Sequence, residues 1–123
     1  MINVMVVGLG GAIGAMARYV ISLIPIKTVF PYLTLMTNLL GALLIGFIVG
    51  FATLRGTQEK WVLFWKTGIC GGFTTFSTFS LEAYQLYEKG NTGFSILYMI
   101  LSVVLCLVGV ILGQQLAFHL LKK

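Results

Sequence analysis

The sequence predicts an all-α membrane protein with four transmembrane helices, and three observations point to this fold. Of the 123 residues, 59% are hydrophobic and 9% are charged, whereas a soluble domain is about 45–50% apolar and about 25% charged. The mean hydropathy is +1.02, and a short domain cannot bury that much apolar surface in water. The apolar residues also form four long runs, and about 20 such residues suffice for a helix to cross the hydrocarbon layer.

The four predicted spans fill nearly the whole chain, so we expect a single membrane domain over residues 1–123. They cover about residues 2–24, 31–54, 61–88 and 93–121. The first run has no basic segment before it and no cleavage motif after it, which predicts a retained span rather than a signal peptide. The runs are continuous rather than alternating, which excludes a transmembrane β-barrel.

Each predicted span contains two glycines four residues apart. The pairs are Gly10/Gly14, Gly46/Gly50, Gly68/Gly72 and Gly109/Gly113. Lipid gives no hydrophobic drive between helices, so small residues that permit close backbone contact hold them together. We therefore expect tight helix packing, within the chain or between subunits. The first glycine-rich stretch is not a dinucleotide site, because Ile13 replaces its third glycine and no acidic residue precedes Glu59.

The first two spans carry few polar residues. Arg18 near the end of the first span either reaches the lipid headgroups or faces a polar path. In the second span, Thr34, Asn38 and Gly41 share one helical face. An asparagine in a span either binds a neighbouring helix or lines a polar path. Both interpretations stay open at this point for Arg18 and for Asn38.

The third span is the most polar, with five hydroxyl residues after two adjacent glycines in the run from Gly71 to Ser80. Because two glycines before threonines and serines weaken a helix, we predict a break in this run, near mid-membrane. Non-helical backbone survives at membrane depth only inside protein or along a water-filled cavity. The freed carbonyls suit a hard cation such as Na⁺, and the amides of the next half-helix suit an anion. This segment therefore predicts an ion site.

An anion is favoured as the moving ion. Several side chains can donate hydrogen bonds: Asn38, Thr75, Ser77, Thr78, Ser80, Tyr98 and Ser102. Tyr98, Ser102 and Cys106 repeat every four residues in the fourth span. Phe76 and Phe79 either pack in the core or turn their positive ring edges toward an anion. Glu82 is the nearest acid, about two turns past the threonines, and either pairs helices or lines the path.

The net charge of +5 comes from scattered bases rather than a patch, which excludes a nucleic-acid binder. One side of the predicted bundle has four loop-end bases, Arg55, Lys60, Lys122 and Lys123, with Lys66 just inside the third span. The other side has two, Lys27 and Lys89, with Arg18 nearby. The bias favours termini in the cytoplasm, but is small enough for insertion in both orientations.

No nucleophile, base and orienting group stand together, so we expect no enzyme. Cys70 and Cys106 are expected to be packing residues.

Three stretches together resemble the Fluc/CrcB family of fluoride channels: Gly10–Tyr19, Thr34–Gly41 and Gly68–Glu82. The resemblance covers nearly the whole chain. It implies a passive, fluoride-selective channel in a prokaryotic inner or plasma membrane, which exports cytoplasmic fluoride down its electrochemical gradient and confers fluoride resistance. It also implies an antiparallel, dual-topology dimer with two fluoride pathways.

The resemblance further implies roles for individual residues. The pathway would be lined by two ring edges, an amide, four hydroxyl groups and a vestibule arginine: Phe76, Phe79, Asn38, Ser77, Thr78, Tyr98, Ser102 and Arg18. The backbone carbonyls of Gly71 and Thr74, from both subunits, would hold a structural Na⁺ at the dimer centre. The expected partners are fluoride, membrane lipid and a second subunit, without nucleic acid.

Three alternatives stay open. The four-to-two charge bias is compatible with a heterodimer, in which this chain pairs with an oppositely oriented paralogue. A small multidrug transporter shares the size and the four spans, but it needs a carboxylate in the first span, where this chain has Arg18 and no acid. A non-transporting assembly subunit would use the Thr/Ser/Phe run only for helix packing.

Overall fold

The computed structural model describes residues 1–122, and this part of the chain is helical without strands. The long helices are α1 (Ile2–Ser22), α2 (Tyr32–Arg55) and α6 (Thr92–Leu121), and all three are long and apolar enough to cross a membrane. Between α2 and α6 the chain forms α3 (Glu59–Val62), a π-helix termed π1 (Leu63–Cys70), α4 (Gly71–Phe73) and α5 (Phe76–Glu88). The all-helical prediction is confirmed.

The third predicted span is a helix–break–helix unit. Helical backbone runs from Glu59 to Phe73 and resumes at Phe76. The predicted break exists, and it lies at Thr74 and Thr75, which are extended, while Gly71 and Gly72 are helical. The glycines stay helical because Gly72 packs directly against the Gly11 carbonyl of α1, where a side chain would collide. Neither half reaches the length of α1, which is why three helices qualify as spans.

Glycines form the contact between α1 and the first half of this unit. A Cβ at Gly10 would lie 2.5 Å from the Phe64 carbonyl oxygen, and one at Gly68 would lie 2.9 Å from the Cα of Gly10. A Cβ at Gly14 would collide with the Ile69 carbonyl. The two backbones therefore touch without intervening side chains, which maximises dispersion contact where no hydrophobic drive exists.

The second contact between long helices joins α2 and α6 in the same way. Gly46 lies against the Val110 carbonyl, and Gly113 lies against the Leu43 carbonyl. Gly50 and Gly109 belong to the same seam, so all four predicted glycine pairs lie at helix contacts within one chain. The two seams fix α1 beside π1 and α4, and α2 beside α6, with the break between them.

A small aromatic and aliphatic core lies beside the second half of the broken unit. It consists of Phe30, Leu35, Ala83, Leu86 and Tyr98, with Phe79 packed against it. Most large side chains of α1 and α6 face outward, as expected of helices that meet lipid or a partner. The core therefore anchors α5 on α6 and fixes where Phe79 stands.

Candidate functional site around the helix break

The site is built on the break between α4 and α5. Thr75 is extended, with φ −149° and ψ 117°, and its hydroxyl oxygen accepts a hydrogen bond from the backbone N–H of Thr78 at 3.2 Å. This is an N-cap, which satisfies one of the free donors at the start of α5. From its sequence, Thr75 was expected to be a hydrogen-bond donor, and its role at the start of the second half-helix appears only in the structure.

Asn38 of α2 closes the break with two hydrogen bonds to the Thr75 backbone. Its Oδ1 accepts from the Thr75 N–H at 2.9 Å, and its Nδ2 donates to the Thr75 carbonyl at 3.2 Å. The side-chain amide thus replaces the partners that Thr75 loses by leaving the helix. An amide group carries two N–H donors, so one of them remains for another acceptor. Asn38 is therefore first a structural clamp.

The carbonyls before and within the break fall into two groups. The Gly72 carbonyl accepts a hydrogen bond from Nε of Arg18 at 3.1 Å, which ties α1 to the break. The carbonyls of Gly71 and Thr74 have no hydrogen-bond donor in residues 1–122. Arg18 is half-buried rather than directed outward at the membrane surface. Two unpaired carbonyls per chain leave hard oxygen ligands for a cation such as Na⁺.

Hydroxyl groups cluster at the start of α5. The Thr75 hydroxyl donates to Oγ1 of Thr78 at 3.1 Å, and it lies 3.3 Å from the Ser77 hydroxyl. The Ser80 hydroxyl instead donates to the Phe76 carbonyl at 2.9 Å, within the helix. Ser77 and Thr78 are thus linked through Thr75, while Ser80 is occupied locally.

Phe76 and Phe79 stand next to each other, with ring centroids 5.6 Å apart. Phe79 continues the aromatic contact to Tyr98, at 5.1 Å. The two phenylalanines differ in burial, since Phe76 is 79% exposed and Phe79 is half-buried. A fully packed core residue would not be exposed to that degree. The Phe76 ring is therefore free to meet an ion or a second subunit.

Two buried hydroxyl groups in α6 lack partners. Neither Tyr98 Oη nor Ser102 Oγ has a hydrogen bond, although Tyr98 is 0% and Ser102 is 7% exposed. A buried polar atom without a partner costs roughly 1–3 kcal/mol. A water molecule or an anion beside these hydroxyls would remove that cost, since each hydroxyl can donate.

Many of the site residues line one groove of about 400 Å³. Its lining includes predicted pathway residues and the two residues whose carbonyls are unpaired, namely Asn38, Phe76, Phe79, Ser102, Gly71 and Thr74. Tyr98 lies behind it, in contact with Phe79. Arg18 and Thr78 line a separate cavity of about 80 Å³ on the other side of the break. Ser77 is exposed and lines neither space.

Glu82 has a partner that the sequence did not reveal. The Thr34 hydroxyl donates to Oε1 of Glu82 at 2.6 Å, across 48 residues of sequence. Thr34 also lines the small cavity beside Thr75, and Glu82 lines a larger one of about 620 Å³ with Lys27 and Lys89. The Thr34–Glu82 hydrogen bond therefore joins a residue of the small cavity to a residue of the larger one.

Known proteins resemble the chain over most of its length. The family described as "CrcB-like protein, Camphor Resistance (CrcB)" matches residues 5–114. A "Fluoride-specific ion channel FluC" of Ruminiclostridium cellulolyticum is 47% identical over 121 residues, which are 95% of this chain and 93% of the relative. "Fluoride-specific ion channel FluC 2" of Nitrobacter hamburgensis is 42% identical over 96% of this chain and 98% of the relative.

A further "Fluoride-specific ion channel FluC", from Clostridium perfringens, is 47% identical over 92% of this chain and 91% of its own length. These matches cover α1, α2, the broken unit and most of α6 rather than one motif. The resemblance that three stretches of sequence indicated is thus confirmed over nearly the whole chain. The chain belongs to the CrcB family.

Proposed function

We propose that the chain forms a passive, fluoride-selective channel, as the names of its relatives indicate. The observation that carries the proposal is the groove at the break, whose lining includes Asn38, Ser102, Phe76 and Phe79 but no carboxylate residue. A channel moves an ion without forming or breaking covalent bonds, so no enzymatic machinery is required. Family membership leaves neither the multidrug transporter nor the assembly subunit any support.

The donors explain how a small, strongly hydrated anion could pass. An ion that enters the groove loses water and must regain hydrogen bonds. The free N–H of Asn38 and the hydroxyls of Tyr98 and Ser102 are donors without partners of their own. The ring edges of Phe76 and Phe79 add a weak positive surface, which holds an anion loosely enough for it to leave. Arg18, Ser77 and Thr78 would contact the ion before it enters the groove or after it leaves.

Export follows from the membrane potential. Moving one negative charge out of a cell gains roughly 2.3 kcal/mol for each 100 mV of inside-negative potential. A passive pathway therefore exports fluoride without coupling to another ion. We assign the chain to a prokaryotic inner or plasma membrane, where it would confer fluoride resistance.

The assembly we propose is an antiparallel dimer with two fluoride pathways. The exposed Phe76 and the open groove leave the site incomplete in one chain. The unpaired carbonyls of Gly71 and Thr74 fit a central Na⁺, because two chains would supply four hard oxygen ligands. When bound, Na⁺ would supply positive charge that ties the two breaks together. The charge bias of the loops keeps a heterodimer with an oppositely oriented paralogue as the alternative to a homodimer.

The proposal is tested in bacterial cells that lack fluoride export of their own. Cells that express this chain alone are expected to grow in fluoride and to keep internal fluoride low. An uncoupler that abolishes the membrane potential should abolish this exclusion, because the potential is the driving force. Internal fluoride is measured with a fluoride electrode after lysis. Exclusion that persists without a potential would contradict passive export, and rescue only after co-expression of a paralogue would establish the heterodimer.

A further inference from the structure

We infer that Lys66 is the residue that draws anions into the groove at the break. Lys66 lies in the middle of π1, and it lines the groove together with Asn38, Phe76 and Ser102. It is the only charged residue in that lining, within the part of the chain that the structure describes. This inference rests on the proposed function, and it assigns a specificity-determining residue to the same pathway.

The position of Lys66 follows from the antiparallel packing of α2 against the broken unit. Asn38 meets Thr75, and one turn later Gly41 meets the Thr74 side chain. Farther along α2, Ile45 lines the groove at the level of the residues before the break. Lys66 therefore stands at the end of the groove away from Phe76, toward α3 and the connection to α2.

Lys66 shares one helical face with Cys70. The two residues are four positions apart in π1 and both line the groove, as does Gly71 at the start of α4. The side chain is exposed, so its ammonium group can move on its four-carbon stem along the entrance. A mobile cation at the entrance can meet an arriving ion and pass it to the donors deeper inside.

The surroundings make this charge effective. Apolar side chains such as Ala42, Ile45 and Val110 form much of the wall, so the field of the exposed ammonium group reaches into a groove with low-dielectric walls. Clefts with low-dielectric walls and one sign of charge raise the local concentration of counter-ions. Lys66 should thus raise the fluoride concentration at the groove and disfavour cations from entering it.

The test compares fluoride efflux from liposomes that contain the wild-type protein, Lys66→Gln, Lys66→Arg or the control Lys60→Gln. Lys60 lies on α3 near the same end and loses the same charge, but it does not line the groove. At about 0.01 M ionic strength, where charges act over about 30 Å, we expect Lys66→Gln to be at least about threefold slower than wild type. Lys66→Arg and Lys60→Gln should stay within about twofold of wild type, since they keep the charge at the groove.

Ionic strength separates an electrostatic role from a packing role. At about 1 M of an impermeant salt the screening length falls to about 3 Å, so the deficit of Lys66→Gln should shrink below about twofold. Equal rates for wild type and Lys66→Gln at low ionic strength would overturn the inference. A deficit independent of salt, or an equal loss in Lys60→Gln, would overturn it as well.

A binding measurement keeps this inference separate from the proposed function. Absence of wild-type fluoride efflux would contradict the channel itself. The role of Lys66 is then decided by ¹⁹F line broadening of fluoride in the presence of each purified protein. Broadening that is weaker in Lys66→Gln than in wild type supports the inference, and equal broadening in both overturns it.

Discussion

At the scale of single residues, the side chains at the break have different roles. Asn38 satisfies the Thr75 backbone on both sides, and Thr75 caps α5. Phe76 is exposed, so its role cannot be core packing within one chain. Tyr98 and Ser102 keep buried hydroxyls free. In the proposed channel, structure and transport would share this segment, and substitutions should separate the two.

The phenylalanines offer the cleanest separation. Replacement of Phe76 or Phe79 by Ile keeps an apolar side chain but removes the aromatic ring edge. If ring edges stabilise the passing anion, fluoride efflux should fall roughly two- to tenfold. Size-exclusion chromatography should still show the wild-type elution volume, above all for Phe76→Ile. Wild-type efflux in both variants would show that the rings only pack.

Asn38 should affect stability as well as transport. In Asn38→Asp the oxygen facing the Thr75 N–H remains, but a carboxylate oxygen replaces the donor to the Thr75 carbonyl. We expect a loss of about 1–3 kcal/mol in unfolding free energy, since a half-buried acceptor loses its donor and faces another oxygen. Chemical denaturation in detergent measures this change. An unchanged midpoint together with unchanged efflux would contradict the clamp.

At the scale of helices, the sequence was most informative where a pattern is local. Apolar runs predicted α1, α2 and α6 to within about two residues at each end. The glycine pairs predicted the two seams because glycines in membrane helices commonly allow two backbones to approach closely. The break in the third span was predicted from the same glycines, but glycine flexibility alone did not reveal that Gly72 packs on α1 and that Thr74 and Thr75 are the extended residues.

Other features of the elements depend on partners distant in sequence. The hydrogen bond between Thr34 and Glu82 spans 48 residues, and nothing in the sequence near either residue indicates its partner. The two bonds of Asn38 span 37 residues. Nothing in the composition of π1 distinguishes it from an α-helix, so the placement of Lys66 on the groove required the structure. Fluoride-channel roles came from the resemblance rather than from these geometries.

The seam between α1 and the broken unit gives a matched pair of substitutions. A Cβ at Gly14 would collide with the Ile69 carbonyl and lie 2.8 Å from the Phe73 nitrogen, whereas a Cβ at Gly8 meets nothing within 4 Å. We expect Gly14→Ala to lower the unfolding free energy by roughly 1–3 kcal/mol. Gly8→Ala should leave it unchanged or raise it by up to about 1 kcal/mol. Equal stability of both variants would contradict the seam.

At the scale of the whole molecule, one chain leaves the groove open and Phe76 exposed, so a second chain could cover both. The unpaired carbonyls of Gly71 and Thr74 lie at the break, where a second copy would meet the first in the proposed dimer. Assembly, cation binding and conduction would then depend on each other. This dependence makes the proposed assembly testable without knowledge of the ion positions.

Removal of Na⁺ tests the assembly directly. If the carbonyls hold a structural Na⁺, exchange of Na⁺ for a large organic cation should shift purified protein from dimer toward monomer. Fluoride efflux should fall in parallel, because anything that binds the assembled state stabilises it by mass action. Cross-linking yield and efflux are measured across a Na⁺ titration. Insensitivity of both to Na⁺ would contradict the central cation site.

The most direct test of the account is anion efflux from liposomes that contain the purified chain. An ion-selective electrode follows fluoride and, in parallel vesicles, chloride after a K⁺ ionophore sets the potential. If the pathway at the break selects fluoride, fluoride efflux should be rapid, and chloride efflux should not exceed the chloride efflux of protein-free vesicles. Absence of fluoride efflux with Na⁺ present and any partner subunit supplied, or equal efflux of both anions, would contradict a fluoride-selective pathway at the break.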